Sequence, residues 1–320
     1  MKTDIVVGID IGGTNTDFGV VDREGNSHFK HSIRTDEYED VEPFLDELTV
    51  KIKEWIHSNK KSIVFKGIGV GAPNGNYFTG AIEFAPNLKW KGVIPLVELI
   101  KQRMNFPVVL TNDANAAAIG EMIYGAAKGM KDFIVITLGT GLGSGIVVNG
   151  ELLYGHDGFA GELGHTVVFP EGRVCGCGKR GCLETYASAT GISKTAIEML
   201  EKSNETSLLR DIPKDQMSSE KIFYAAKKND KMALECFEYT GKILGMKLAD
   251  AIAFSSPEAI ILFGGLANSG DYIFTPTKKY MEYYLLPIYR NKVKLLPSLL
   301  KKENAAVLGA AALVWAYTKK

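Results

Sequence analysis

The apolar positions of this chain repeat one pattern about 128 residues apart. Ile5-Val6-Val7-Gly8-Ile9-Asp10-Ile11-Gly12-Gly13-Thr14-Asn15 leads into Phe18-Gly19-Val20-Val21. Phe133-Ile134-Val135-Ile136-Thr137-Leu138-Gly139-Thr140-Gly141-Leu142-Gly143 leads into Gly145-Ile146-Val147-Val148. Each copy reads as an apolar strand, a glycine turn bearing a threonine, and a second strand.

Around these units, residues 4–34 read as a three-stranded meander and about 38–59 as a helix. A buried strand, Ile63 to Gly71, ends in the turn Ala72-Pro73-Asn74-Gly75. A helix near 93–104 precedes the short strand Phe106 to Leu110, and the alanine-rich run Ala114 to Tyr124 favours helix. Residues 155–182 read as an elaborate glycine-rich loop. Helices dominate 183–254, interrupted by a polar, loop-like stretch at 202–220. Phe237, Gly241, Leu244, Leu248 and Ile252 recur at helical steps, as a buried stripe does. Glu258 to Phe263 is a strand closed by Gly264-Gly265, and a final helix, about 303–317, carries Val307, Ala310, Ala311 and Val314 on one face.

This order predicts two α/β lobes parting near 110–115. The small lobe is 1–112 and the large lobe 113–302, including a metal loop at 165–182. The terminal helix, about 303–320, is expected to return to the small lobe, because the large one already has its helices.

Gly12-Gly13-Thr14 and Gly139-Thr140-Gly141 suit close approach to an anion, positive φ, and a concave array of N–H donors. Tight hairpins are the alternative for either turn alone. The repetition favours two lobes gripping one phosphate chain, and hence an ATP-using enzyme with a cleft. Neither turn has the Gly-Lys-Ser/Thr ending of a Walker loop. Asp10, at a strand end facing its turn, suits a hydrated Mg²⁺ bridging phosphates; turn hydrogen bonding is its other reading.

Asn112-Asp113 follows the strand that closes the first lobe. A carboxylate there could accept a hydroxyl proton during phosphoryl transfer. Spacing alone favours a plainer role for Asp113, that of helix N-cap. His165, Cys175, Cys177 and Cys182 offer an imidazole and three thiols within a glycine-rich loop, the donor set of a closed structural zinc site. Free thiols or a three-cysteine iron–sulfur site are the alternatives. Glu162 and Glu184 flank this loop, so a bound metal would fix both as acceptors for sugar hydroxyls. His165 could bind metal through one ring nitrogen and donate to substrate from the other. Cys236 reads as a small core residue.

Lys+Arg and Asp+Glu are 37 each, so nothing suggests nucleic acid or an acidic membrane surface as partner. No apolar run spans a bilayer and no signal peptide is visible, so a cytoplasmic location is expected.

These motifs, in this order, resemble the ROK sugar kinases of the hexokinase–actin superfamily. The matching pieces are Asp10-Ile11-Gly12-Gly13-Thr14, Asn112-Asp113-Ala114-Asn115-Ala116-Ala117-Ala118, Leu138 to Gly143, Gly161-Glu162-Leu163-Gly164-His165, and Cys175 to Glu184. The histidine–cysteine block is specific; the glycine turns alone are not. The resemblance implies a two-lobe ribonuclease-H-like fold with ATP and Mg²⁺ between the lobes and Asp113 as catalytic base. It implies that Asn112, Glu162, His165 and Glu184 bind sugar hydroxyls, and that Asn87 in Pro86-Asn87-Leu88 touches the sugar. His165, Cys175, Cys177 and Cys182 would hold Zn²⁺, and Gly264-Gly265 would lie against adenosine. A homodimer is implied, a tetramer being the variant. Many members carry lysine where this chain has Asn15, beside the phosphates. The usual Gly-x-Pro-Gly turn is here Gly71-Ala72-Pro73-Asn74, and Asn tolerates the positive φ it needs. Repressors of the family carry a helix-turn-helix before the kinase part, for which this chain has no room. Glucose is the favoured substrate. N-acetylglucosamine, N-acetylmannosamine, fructose, mannose and allose stay open, as does polyphosphate in place of ATP. A sugar sensor without turnover, and an iron–sulfur ATPase that activates a redox enzyme, are the readings from other classes.

Overall fold

The computed structural model describes residues 2–300 and 305–317. The outer parts of the expected terminal segment, 303–304 and 318–320, lie outside them.

The chain runs β1 (Thr3–Ile11), β2 (Asn15–Asp22), β3 (Ser27–Arg34), α1 (Val41–Asn59), β4 (Ile63–Gly71), β5 (Ile82–Glu83), β6 (Val93–Ile94), α2 (Leu96–Arg103), β7 (Val108–Thr111) and α3 (Asp113–Ile123). It continues with β8 (Phe133–Leu138), β9 (Leu142–Val148), β10 (Glu151–Leu152), α4 (Glu184–Ala187), α5 (Ala189–Lys202), α6 (Ser219–Lys227), α7 (Lys231–Ser255), β11 (Ala259–Phe263), α8 (Asp271–Tyr284), β12 (Lys294–Pro297) and α9 (Ala305–Tyr317).

The repeat seen in the sequence extends to whole sheets. The first sheet has order β3-β2-β1-β4-β7 and the second β10-β9-β8-β11-β12. In each, an antiparallel meander is followed by two parallel strands that return through helices. A small third sheet pairs β5 with β6. This is the actin/hexokinase architecture.

Two helices lie between the sheets. α3 packs on β8 and β9, and α9 packs on β1 and β4, with α3 and α9 in contact along their lengths. The approach is close enough to demand small residues. A side chain at Gly69 would sit 1.9 Å from the Ala310 carbonyl, one at Gly145 would sit 2.7 Å from the Ala114 carbonyl, and one at Gly120 would sit 2.9 Å from Gly309. The alanines of α3 are therefore as much a packing requirement as a helix propensity. α9 is correspondingly buried on all sides from Val307 to Trp315, not along one stripe as the periodicity predicts, because a sheet covers one face and α3 the other.

The expected stripe of α7 is buried as drawn, and its Gly241 and Gly245 let α8 cross tightly. Cys236 is fully buried beside Met199. Two helix starts moved by three residues. The helix expected from 93 begins at Leu96, because Pro95 disfavours helical backbone at its neighbour and Val93–Ile94 pairs with β5 instead. The helix expected from 38 begins at Val41, after extended backbone at Asp40. Asn74 does take positive φ, at 51°. Among the described residues no helix is long and apolar enough to cross a membrane.

Candidate active site

The end of β1 carries Asp10 to the edge of the first sheet. Its carboxyl is pushed up to about 7, first by burial, then by the charges of Asp113 and Asp17. An acid group so poorly compensated fits a divalent cation, which would supply the missing countercharge. Past it, the Gly12 N–H donates to the Asn15 carbonyl at 3.0 Å, and Thr14 accepts from the Thr35 N–H at 2.8 Å. Thr14 and Asn15 are exposed. Gly13 packs on Asn87, where a side chain at 13 would stand 2.5 Å from the Asn87 carbonyl. Asn87 thereby borders the first glycine turn.

The turn between β8 and β9 is shaped by its carbonyls. Gly139 accepts from the Ala189 N–H at 2.9 Å and Thr140 from the Thr190 hydroxyl at 2.8 Å, both at the start of α5. Thr137 fixes the far side by accepting from the Gly143 N–H at 3.1 Å. The expectation of positive φ in the two turns is not met: Gly12, Gly13, Gly139 and Gly141 all lie outside the left-handed region. Closeness is the requirement instead. Gly141 abuts Glu184, while a side chain added at Gly139 or Gly265 would meet no protein atom within 4 Å. Packing does not require glycine at those two positions, and the open backbone there would let a ligand lie against it. Gly264 does need its freedom, with φ 105° and the Leu138 carbonyl 2.7 Å from where a side chain would begin.

β7 delivers Asn112 and Asp113. The capping role is taken by Asn112, whose side chain accepts from the Asn115 N–H at 2.7 Å, so Asp113 is not the N-cap but the first helical residue. One Asp113 oxygen accepts from the Ala114 N–H at 2.8 Å. Asp113 has open surface, yet protein surrounds it closely enough that lost hydration raises its pKa. Asp113 is thus open to solvent on one side and closely walled by protein on the others.

The histidine–cysteine loop follows later in the chain. His165 Nδ1 is 3.6 Å from Cys175 Sγ, and Cys177 Sγ is 3.7 Å from Cys182 Sγ. All four ligand atoms lie within 4.8 Å of one another. A tetrahedron with Zn–S of about 2.3 Å has edges of about 3.8 Å, so donors and spacing both fit zinc. Four protein ligands leave no open position, so the ion would serve structure alone. With Nδ1 on the thiols, Nε2 faces Glu162 at 3.9 Å. Burial raises the Glu162 pKa, with His165 opposing and Asp113 and Glu184 adding to the rise. Glu184 accepts from the Leu142 N–H at 3.0 Å and lies 3.7 Å from Cys175 Sγ.

Sequence reasoning missed the clamp behind this loop. Arg173 pairs with both oxygens of Glu198, donates to Thr195 and to the carbonyls of Thr185 and Gly191, and stacks 4.4 Å over Tyr186. It moors the loop to α4 and α5. An arginine among glycines and cysteines was the available signal. Lys179 adds a bond to the His165 carbonyl at 2.9 Å. Asn76, also missed, donates across to the Asp157 carbonyl at 2.8 Å.

The family model described as ROK family matches residues 6–316. A glucokinase of Halalkalibacterium halodurans is 38% identical over 287 residues, covering 88% of this chain and 86% of that protein. A xylose repressor of Bacillus spizizenii is 31% identical over 319 residues, covering 98% of this chain and 77% of the repressor. Among solved structures, a ROK family glucokinase from Streptomyces griseus in complex with glucose and AMPPNP is 34% identical with a TM-score of 0.79, covering 97% of this chain and 98% of that one.

Proposed function

This chain belongs to the ROK family, and on that premise we propose that it phosphorylates glucose at its 6-hydroxyl with ATP, Asp113 acting as general base. It is a sugar kinase of the glucokinase type. One observation carries the assignment of the base. Asp113 is the acid whose charge is felt both by Asp10, beside the first phosphate turn, and by Glu162, beside the metal loop. That proximity to both supports a base lying between phosphate and sugar.

The sugar hydroxyls are held by Asn87, Asn112, Glu162, His165 and Glu184. The phosphates lie on Gly12, Gly13, Thr14 and Asn15 from one side and on Gly139, Thr140 and Gly141 from the other. Gly264 and Gly265 border the adenosine. As the sugar oxygen bonds to the γ-phosphorus, its proton passes to Asp113 and the bridging P–O bond breaks to leave ADP. Mg²⁺ when bound neutralises phosphate charge, and Asp10 would hold it through water. His165, Cys175, Cys177 and Cys182 would hold zinc, which would supply rigidity to the loop that carries Glu162 and His165. Closure of a small lobe, 1–112 plus the terminal helix, onto a large lobe, 113–302, expels water and aligns the partners. We also read the chain as a cytoplasmic homodimer.

The test is ADP release across hexoses and N-acetylhexosamines, with ATP and with polyphosphate as donor. Glucose with ATP is expected to give the highest kcat/KM. A higher value for an N-acetylhexosamine would overturn the sugar assignment. Sugar-dependent stabilisation with no ADP release from any sugar would instead make the chain a sensor, the role a repressor relative suggests.

A further inference from the structure

Asn76 lies in the turn that follows β4 of the first sheet, and Asp157 in the loop that follows β10 of the second. The side chain of Asn76 joins the two. It is 2% exposed, and its amide nitrogen donates to the Asp157 carbonyl at 2.8 Å. Its oxygen accepts from the Phe78 N–H at 2.9 Å and, at 3.4 Å, from the Thr79 N–H. The amide fits one way round only: reversed, its oxygen would face the Asp157 carbonyl and its NH2 would face two N–H groups. The backbone of Asn76 is fixed as well, donating to the Ala81 carbonyl at 2.9 Å and accepting from the Gly80 N–H at 3.0 Å.

The loop is shaped to receive this group. Gly158 is buried with φ 92°, and a side chain on it would begin 2.5 Å from the Asn76 oxygen. Backbone conformation and contact both demand glycine there. The Tyr154 carbonyl accepts from the Ala160 N–H at 3.0 Å, closing the loop at its base, and the Tyr154 ring stacks on Tyr77 with centres 4.2 Å apart. At its end the Gly161 carbonyl accepts from the Ser144 hydroxyl of β9, and Glu162 is the next residue. Base and end are thus held, and Asn76 holds the tip at Asp157 and Gly158.

We propose that Asn76 is a positioning residue for the sugar site. It acts through the loop: by gripping the tip from the turn after β4, it sets where Glu162 stands relative to Asp113, which follows β7 of that same first sheet. The role rests on the reading of Glu162 as a sugar ligand. An acid that binds the sugar equally before and during phosphoryl transfer affects KM and not kcat. Losing the grip therefore weakens sugar binding and leaves saturated turnover and the nucleotide site as they were.

Asn76→Asp is the test, because a carboxylate keeps the acceptor bonds to Phe78 and Thr79 and loses the donor to Asp157. The glucose KM is expected to rise at least about tenfold, with kcat and the ATP KM within about threefold of the parent. Calorimetry should find the same loss in the glucose Kd, with AMPPNP binding unchanged. Gly158→Ala crowds the same contact from the loop side and should give the same split. The two substitutions together should cost less than the product of their separate effects, since they break one contact. Thr79→Val removes a bond from the turn to Glu83 without reaching the loop, and should change each of these constants by no more than about twofold. An Asn76→Asp variant with an unchanged or lower glucose KM overturns the proposal. So does an equal rise in Thr79→Val, which would make the intact turn the requirement, or a loss in kcat as large as the rise in KM. Should Asn76→Asp fail to fold, Gly158→Ala decides alone. A parent that binds glucose and releases no ADP removes the kinase reading and leaves the calorimetric comparison to decide the role of Asn76.

Discussion

Glu184 accepts a hydrogen bond from the Leu142 N–H at 3.0 Å, so a carboxylate at the end of the metal loop is tied to the second phosphate turn. Gly141 is what permits this, since a side chain there would fall 2.3 Å from the same oxygen. On the proposed reading, sugar and phosphate sites share this one acid. Glu184→Ala should lower kcat/KM by about 10–100-fold, the worth of one charged hydrogen bond. Gly141→Ala should raise both the sugar and the ATP KM, about tenfold for ATP, by displacing that oxygen. Steady-state kinetics in both substrates decide; a change confined to sugar would break the proposed link.

Asp113→Asn should lower kcat by about 10²–10⁴-fold while calorimetry finds sugar binding within a few-fold of the parent. Asn112 keeps its cap in this variant, so the helix should survive. Near-normal turnover would remove Asp113 from the role of base.

Asp10 is pushed up to about 7 from a usual 3.8, so the folded protein holds a proton there that the unfolded chain has released. Between those values stability falls as pH rises, because the native state binds more protons. The ligand-free protein should therefore lose melting temperature from about pH 4 to pH 7 through this group, and the raised Asp113 and Glu162 act in the same direction. Asp10→Asn should remove part of that loss and melt higher at pH 8, while losing at least about 100-fold in kcat. A variant that melts lower at pH 8 would contradict the electrostatic account.

Metal analysis should find one zinc per chain. Its removal by chelator, or Cys177→Ser, should lower the melting temperature by at least about 5 °C and raise the sugar KM, since zinc-site binding energy is folding energy. Iron in place of zinc, or a chelated protein with unchanged melting and KM, would refute the structural role.

Much of this site was legible in the sequence because its signals are local. The metal ligands from Cys175 to Cys182 sit within one loop, and their spacing needs only a glycine-rich chain to close it. The duplicated strand–turn–strand units announced two sheets. What misled was also local reasoning. Glycines in the phosphate turns suggested positive φ, whereas Gly13 and Gly141 are needed because Asn87 and Glu184 press against them. Asp113 looked like a cap until Asn112 was seen to fill that place.

The sequence by itself determined the elements, the repeat, the metal donors and the family, since periodicity and short-range spacing act within a few residues. Only the tertiary structure decided that the charge of Asp113 is felt by both Asp10 and Glu162, that Glu184 reaches Leu142, and that Arg173 moors the metal loop. It also decided that α9 is buried on every side and that Tyr77 meets Tyr154. Each of these joins segments far apart in the chain, and such contacts are set by how two sheets pack around α3 and α9, which no local pattern encodes.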